Sequence, residues 1–492
     1  MTAFATLCGI QDAARLEAIE RTLLQIKTRE LELVRIGWCD LHGIVRGKTL
    51  VASALPKTFH EGVSMVSTLM LKDTSDRTAF KVFEPEGTSS LPGFGQGGNL
   101  LLLPDPDSFQ QLPWTDSTGW LRAQPWFTDG SPVELDTRRI LQRALQNLGT
   151  QGISMQCGLE VEFHIYKIED TNAQLNPELA NWPGDAPVVS MIHPGYSLLT
   201  EEWFDMAEPA MRIVQRTAQE LGLPLLSLEI EMGPSQVEAV FDVTDAMTAA
   251  DNMVLFRSAV KQALRRAGYH ATFMCRPPFP NIMSSGWHLH QSLIDQSSGQ
   301  NLFLRSSPAS GSTPMDAGYI LSDLGEHYLA GLLDHARGMT VFCTPTTNGF
   351  GRFGANALAP QSVLWGRDNR GAMLRVIGEC GNAGTRIENR LGESGANPYL
   401  YIASQIYAGL DGIERKLRAP PATQDPYNSS NMHLPNSLSG ALNALNNDAA
   451  LVLAFGNDFL SYFTQIKSSE ALRYEQAKDK NDFQRREYFS RI

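Results

Sequence analysis

The chain has no disulfide framework, no long apolar run and no basic excess, and each absence removes a class of protein. The six cysteines, Cys8, Cys39, Cys157, Cys275, Cys343 and Cys380, are scattered singly with no pair at metal-ligand spacing. That argues for a reduced compartment and against a thiolate zinc site. The opening Met1-Thr2-Ala3-Phe4 soon turns charged, without a basic segment followed by an apolar one. Neither a signal peptide nor a membrane span is therefore expected, and the location is expected to be cytoplasmic. A net charge of −12 argues against nucleic acid and against anionic membrane as partners. No internal repeat at a solenoid period is visible.

What remains is an ordinary globular composition, 492 residues with 42% hydrophobic content. That is enough for a substantial core and two domains. Gln11 to Leu33 reads as an amphipathic helix, with Leu16, Ile19, Leu23 and Ile26 at helical spacing. A strand is expected over 34–40, then a turn at His42-Gly43 and a basic patch at Arg46-Gly47-Lys48. Glu84 to Gly98 is rich in glycine and proline and reads as loop, and a helix is expected from about Thr137. The expected boundary lies between domains 1–130 and 131–492. Beyond it, helical patterns at Glu202 to Leu221, Ala246 to Ala267 and Leu324 to Arg337 separate strands. This suggests an α+β domain with a curved antiparallel sheet backed by helices. Ser306 to Thr313 and Pro420 to Pro435 read as polar loops.

Chemistry concentrates on the strands. Arg386-Ile387-Glu388-Asn389-Arg390 brackets one carboxylate with two guanidiniums, a grouping suited to a divalent cation wrapped in phosphate. In Gly158-Leu159-Glu160-Val161-Glu162-Phe163, apolar residues alternate with Glu160 and Glu162, so both acids share one strand face. Like charges placed that way require a cation or a solvated face. Leu228-Glu229-Ile230-Glu231 runs into the turn Met232-Gly233-Pro234-Ser235-Gln236 and returns through Val237-Glu238, a reversal that brings Glu231 towards Glu238. Trp287-His288-Leu289-His290 puts two histidines on one strand face. Taken singly, a solvated charged strand and two satisfied core histidines remain open readings.

Together these runs, with Trp365-Gly366-Arg367-Asp368-Asn369-Arg370 and the segment from Thr385 to Leu400, resemble the glutamine synthetase superfamily. Within it they resemble the γ-glutamylamide synthetases. The motifs keep their order over roughly residues 30 to 470. The resemblance implies a small N-terminal β-grasp domain, a larger catalytic domain, and a ring-shaped homo-oligomer, typically a dodecamer, with active sites between neighbours. It implies ATP and magnesium or manganese, two or more ions per site. Glu162, Glu231 and Glu238 would hold one ion; Glu160, His288 and Glu388 would hold a second. His290 would lie beside the transferring phosphoryl group and Arg370 on it. Arg352 and Arg390 would contact glutamate or its acyl phosphate, and Arg375 and Arg386 the nucleotide phosphates. The implied reaction converts the γ-carboxylate of L-glutamate into an acyl phosphate, which an amine then attacks.

Departures from the family pattern bear on the amine. Arg352-Phe353-Gly354-Ala355-Asn356-Ala357-Leu358-Ala359-Pro360 has Leu358 where ammonia-using relatives carry a glutamate that binds ammonium. The stretch Glu61 to Leu71 lacks the aspartate of their N-terminal ammonium loop. Tyr196 matches a tyrosine of that pocket, while Met65, Val66, Leu69 and Leu358 give it apolar walls. An ammonium group would be poorly held there, and so would the second charge of putrescine. An aryl- or alkylamine such as aniline fits better, with glutamine synthetase itself, a polyamine ligase and a non-catalytic relative as the alternatives. Met283-Ser284 replaces the Asn-Gly pair that contacts the amino-acid end of glutamate, which leaves recognition of that end open.

Overall fold

The structure, a computed structural model, describes residues 3–84, 86–88, 91–170, 176–353, 359–428 and 430–492. Near the N-terminus, Asp12 caps the helix Ala13–Thr28 by accepting from Arg15 N. This helix is shorter than the periodicity suggests. Glu30 takes a left-handed backbone conformation (φ 51°), which turns the chain into the first strand.

Six strands make the first sheet: β1 (Leu33–Cys39), β2 (Val45–Val51), β3 (Val63–Val66), β4 (Asn99–Pro104), β5 (Gln110–Gln111) and β6 (Thr118–Phe127). Their order is β2-β1-β6-β4-β3, with β5 also on β6; β1 and β6 are parallel and the other pairs antiparallel. Asp40 organises the β1–β2 turn, accepting from His42 N, Ile44 N and Arg46 Nε. Arg46 also pairs with Asp76, so the sequence's basic patch is partly neutralised from within. Gly47 is required by space, because a Cβ there would sit 1.7 Å from the Ile36 carbonyl.

The second sheet contains β7 (Ile153–Asp170), β8 (Val188–Met191), β9 (Leu225–Ile230), β10 (Gln236–Asp245), β11 (Tyr269–Thr272), β12 (Gly286–Asp295), β13 (Trp365–Arg367), β14 (Leu374–Ile377) and β15 (Arg386–Glu393). The order is β13-β14-β15-β12-β7-β10-β9, with β8 and β11 also pairing β7. Among the described residues of this sheet, only β13 and β14 pair in parallel. One face is apolar: Val161, Phe163, Leu289 and Ile387 are fully buried. Phe163 stacks on Phe273 (4.8 Å) and meets Phe256, from the helix Ala246–Arg266, edge to face (5.9 Å). Alternation along each strand then turns the acids and histidines to the other face.

The helix expected to end near Arg337 is divided into Asp323–Asp334 and Ala336–Cys343. His335 at the junction is held by Asp411 and Asp448, each at 2.8 Å. After the 420–435 loop come three helices that the sequence pattern left unassigned: Leu438–Asn446, Ala449–Phe455 and Asn457–Gln476. The last of them, the C-terminal segment after it and two residues of the second sheet's surroundings hold the N-terminal segments in place. Glu470 accepts from Thr74 N (3.0 Å) and Glu487 from Ser75 Oγ (2.6 Å), both acids being buried. Arg257 donates to the carbonyls of Gly43, Ser394 and Ala396, and Asn397 Nδ2 donates to those of Asp40 and Leu41. Among the described residues no helix is long and apolar enough to cross a membrane, and all six cysteines are free.

Candidate active site

Register across the second sheet assembles a row of ionisable side chains. Glu238 of β10 lies opposite Glu162 of β7, His288 of β12 opposite Glu160, Glu388 of β15 opposite His290, and Arg375 of β14 opposite Glu388. A register shift between Trp287 and Leu289 in the β12–β15 pairing falls at His288. Bulges of this kind re-aim side chains and are common beside active sites.

Donor atoms converge in three overlapping groups, each within 4.8 Å: Glu162, Glu231 and Glu238; Glu160, Glu238 and His288; Glu160, His290 and Glu388. His288 Nδ1 lies 3.2 Å from Glu160 and 3.7 Å from Glu388. These donors are oxygens with a minority of imidazole nitrogen, the set preferred by hard divalent cations.

The electrostatics differ between the two ends of the row. Burial and then repulsion from Glu162 push the Glu231 carboxyl up; burial, Glu162 and Glu160 do the same to Glu238. Burial also raises Glu160, but hydrogen bonds from His288 and His290 more than reverse this and leave it well below the carboxylate range. Glu388 ends below its ordinary value as well, because His288 and Arg390 outweigh burial.

A consequence can be measured. In the metal-free protein, Glu231 and Glu238 are protonated above the ordinary value of 4.5. The stability this provides is full below that value and is lost as pH rises through the raised values. A divalent cation must displace those protons, so it should bind more tightly as pH rises, by up to about tenfold per unit for each proton released. The increase in Tm given by manganese should therefore grow between about pH 6 and about pH 8. An increment independent of pH would remove Glu231 and Glu238 from the cation site.

The arginines surround this row unevenly. Arg375 Nη1 lies 3.0 Å from Glu388, and Arg390 Nη1 contacts the other oxygen of the same carboxylate. Arg386 Nε donates to His290 Nδ1 at 3.1 Å. That bond places the imidazole proton on Nε2, which donates to Glu160 at 2.9 Å. Arg352 is buried, and its Nη1 donates to the carbonyls of Leu391 and Gly392 (3.3 and 2.6 Å). Arg370 sits exposed on the turn between β13 and β14.

Residues assigned to the amine pocket are dispersed. Tyr196 is half-exposed; its N donates to Met232 O (2.7 Å), next to Glu231, and its hydroxyl to Asn281 O. Val66 lies on the first sheet, 42% exposed at the end of β3. Met65 instead points into the core, only 3% exposed, so it is not a pocket wall; strand alternation separates it from Val66. Leu358 lies outside the described residues.

Two residues without an assigned role complete the acidic cluster. Gln236 Nε2 donates to Glu162 at 3.0 Å, and Gly286 N donates to the same oxygen at 2.8 Å. Gln236 is fixed in turn, because its Oε1 accepts from Gly233 N. Gly286 must be glycine for steric reasons: a Cβ would come within 2.4 Å of Arg352 Nη2 and 3.3 Å of His288 Nε2. Gln236 ends the acidic turn and Gly286 immediately precedes Trp287-His288, but nothing in their residue types predicts contact with Glu162. Beside Glu160, His290 and Arg386 opens a cavity of about 350 Å³, whose other walls include Leu226, Phe241 and Val243.

Comparison with known proteins gives a consistent answer. The family described as glutamine synthetase, catalytic domain, matches residues 134–486. The γ-glutamylanilide synthase of Acinetobacter sp is 39% identical over 93% of this chain and 91% of its own length. The glutamate–isopropylamine ligase of Pseudomonas sp is 28% identical over 90% of this chain and 92% of its own. A solved GmaS/ADP complex superposes with a TM-score of 0.75 at 25% identity, covering 93% of this chain and 97% of that one. With the profile spanning most of the chain and the carboxylate row on its central sheet, this protein belongs to the glutamine synthetase family.

Proposed function

We propose that this ATP-dependent glutamate–amine ligase takes an apolar aryl- or alkylamine such as aniline and releases a γ-glutamylamide. The observation that carries the reading is Leu358, at the position where the family resemblance implies an ammonium-binding glutamate in ammonia-using relatives. Support comes from the names of relatives: an anilide synthase at 39% identity, an isopropylamine ligase, and the γ-glutamylethanolamide synthetase GlnA4 of Streptomyces coelicolor.

The chemistry requires activation, because oxide is too poor a leaving group for an amine to displace from a carboxylate. The γ-carboxylate oxygen of glutamate takes the γ-phosphoryl group of ATP and ADP departs. The amine nitrogen then attacks the acyl carbon, phosphate leaves, and the nitrogen loses a proton. Magnesium or manganese, held by Glu162, Glu231 and Glu238 and by Glu160, His288 and Glu388, would screen phosphate charge during the transfer. Arg386, which lines the 350 Å³ cavity, and Arg375 would hold the nucleotide phosphates. His290 and Arg370 would attend the transferring group, and Arg352 and Arg390 the glutamyl end. An aniline nitrogen is already neutral at pH 7, so it can attack without a carboxylate to hold and deprotonate it. In a ring-shaped cytoplasmic oligomer with domains 1–130 and 131–492, Val66 would contribute to a neighbour's amine pocket, which reconciles its place on the first sheet with that role.

The test is phosphate release with ATP, glutamate and magnesium or manganese across ammonium, methylamine, ethylamine, ethanolamine, putrescine and aniline, with mass detection of the product. Turnover with aniline should exceed that with ammonium by at least about tenfold, the order of discrimination an unpaired buried charge imposes, while an alkylamine, charged at pH 7 like ammonium, should exceed it by the smaller margin its apolar body provides. Best turnover with ammonium would make the enzyme a glutamine synthetase, and best turnover with putrescine a polyamine ligase.

A further inference from the structure

The family resemblance implies an Asn-Gly pair at the amino-acid end of glutamate, and this chain has Met283-Ser284 in its place. Ser284 is nevertheless held from two sides. Its carbonyl accepts from Gln236 Nε2 at 3.2 Å, the same amide that donates to Glu162. Its hydroxyl accepts from Arg276 Nη1, also at 3.2 Å. The backbone of Arg276 is fixed by Asn348: Arg276 N donates to Asn348 Oδ1 at 2.7 Å, and Asn348 Nδ2 donates to Arg276 O at 3.0 Å. Asn348 immediately precedes the turn Gly349–Arg352, so this interaction places Arg276 beside the segment that carries Arg352.

The two guanidiniums differ in what they have left to offer. Arg352 is buried and its Nη1 is committed to two backbone carbonyls. Arg276 is exposed, and among the described residues it makes no ion pair; its one side-chain hydrogen bond goes to the neutral Ser284. It lines a cavity of about 830 Å³ together with Phe279, Asn281 and Phe350. Asn281 carries the carbonyl that receives the Tyr196 hydroxyl, and Tyr196 N donates to Met232 O, next to Glu231. A planar guanidinium with a free edge matches a carboxylate through two parallel hydrogen bonds.

We propose that Arg276, steered by Ser284, receives the α-carboxylate of the amino-acid substrate and so replaces the missing Asn-Gly pair. The inference rests on the reading that the substrate is glutamate, and the experiment separates the two by measuring binding apart from turnover. Equilibrium binding of L-glutamate and of L-isoglutamine is compared on the full-length wild type, R276A and R276K. Isoglutamine keeps the γ-carboxylate but has a neutral α-amide. Wild type should bind glutamate roughly 10- to 100-fold more tightly than isoglutamine, the range expected for a charged hydrogen-bond pair. R276A should weaken glutamate by a similar factor and isoglutamine by less than about twofold, and R276K should recover part of the loss. The KM for glutamate should follow its affinity while the KM for ATP stays constant. Glutamate affinity unchanged in R276A, equal losses for both ligands, or no preference for glutamate in the wild type would each overturn the proposal. Wild type that binds glutamate selectively but forms no amine-dependent ADP would sink the ligase reading and leave the Arg276 site standing.

Discussion

Replacing Glu388 with glutamine should lower kcat by roughly 10²- to 10³-fold, the scale on which loss of one charge-stabilising group in a closed site is felt. Glutamine conserves the volume, so no cavity is made. What changes is charge: Arg375 and Arg390 both lean on this fully buried carboxylate, and His288 lies 3.7 Å away. Neutralising it leaves Arg390 without its carboxylate partner and Arg375 with Asp368 alone. A stability loss of about 3 kcal/mol should accompany the loss of activity, as when one partner of a buried pair is removed. Two readouts separate the structural part from the catalytic part. A fall in kcat together with a raised metal requirement, measured below the Tm of the variant, assigns Glu388 to the cation. Wild-type turnover and metal dependence in a destabilised variant would reduce Glu388 to a counter-ion for its arginines.

Leu358→Glu should shift the ratio of ammonium to apolar-amine turnover in favour of ammonium by about 10- to 100-fold, the range of one charge-assisted hydrogen bond made or lost. The expected change has two parts. A carboxylate beside the acyl phosphate attracts a protonated amine, and the same carboxylate is poorly tolerated against an aromatic ring. Both parts can be read from competition between ammonium and aniline at fixed glutamate and ATP, with the two amides counted by mass. An unchanged ratio would show that position 358 does not touch the amine, and the apolar-pocket argument would fall with it.

The sheet that carries the site was legible because its chemistry is periodic. Glu160 and Glu162 alternate with Leu159, Val161 and Phe163, and this local pattern states which face is buried before any partner strand is known. The pairing of Glu231 with Glu238 was readable for a similar reason, since a short reversal joins them. Arg352 keeps the place in sequence that the resemblance gives it, but nothing local shows that its guanidinium is half spent on the carbonyls of Leu391 and Gly392. Met65 misled because an apolar residue in a short edge strand gives no sign of which way it faces. The seam between the halves was invisible: Thr74 meets Glu470 and Gly43 meets Arg257 across hundreds of residues, and such contacts leave no periodic trace.

The alternation along β7 also limits how this protein can change over evolutionary time. Every second residue from Leu159 to Phe163 is core and the residues between them are acid, so a one-residue insertion or deletion within the strand would exchange the two sets at a stroke. Carboxylates would be driven under the helices and Val161 and Phe163 into water, with no intermediate form that keeps either core or site. Lineages that diverge from this chain can therefore lengthen, shorten or rewrite loops such as those around Asn281 and over 420–435, while the strand itself can only be edited letter for letter. New amine preferences are accordingly reachable by changes at the rim that leave the frame of the sheet intact.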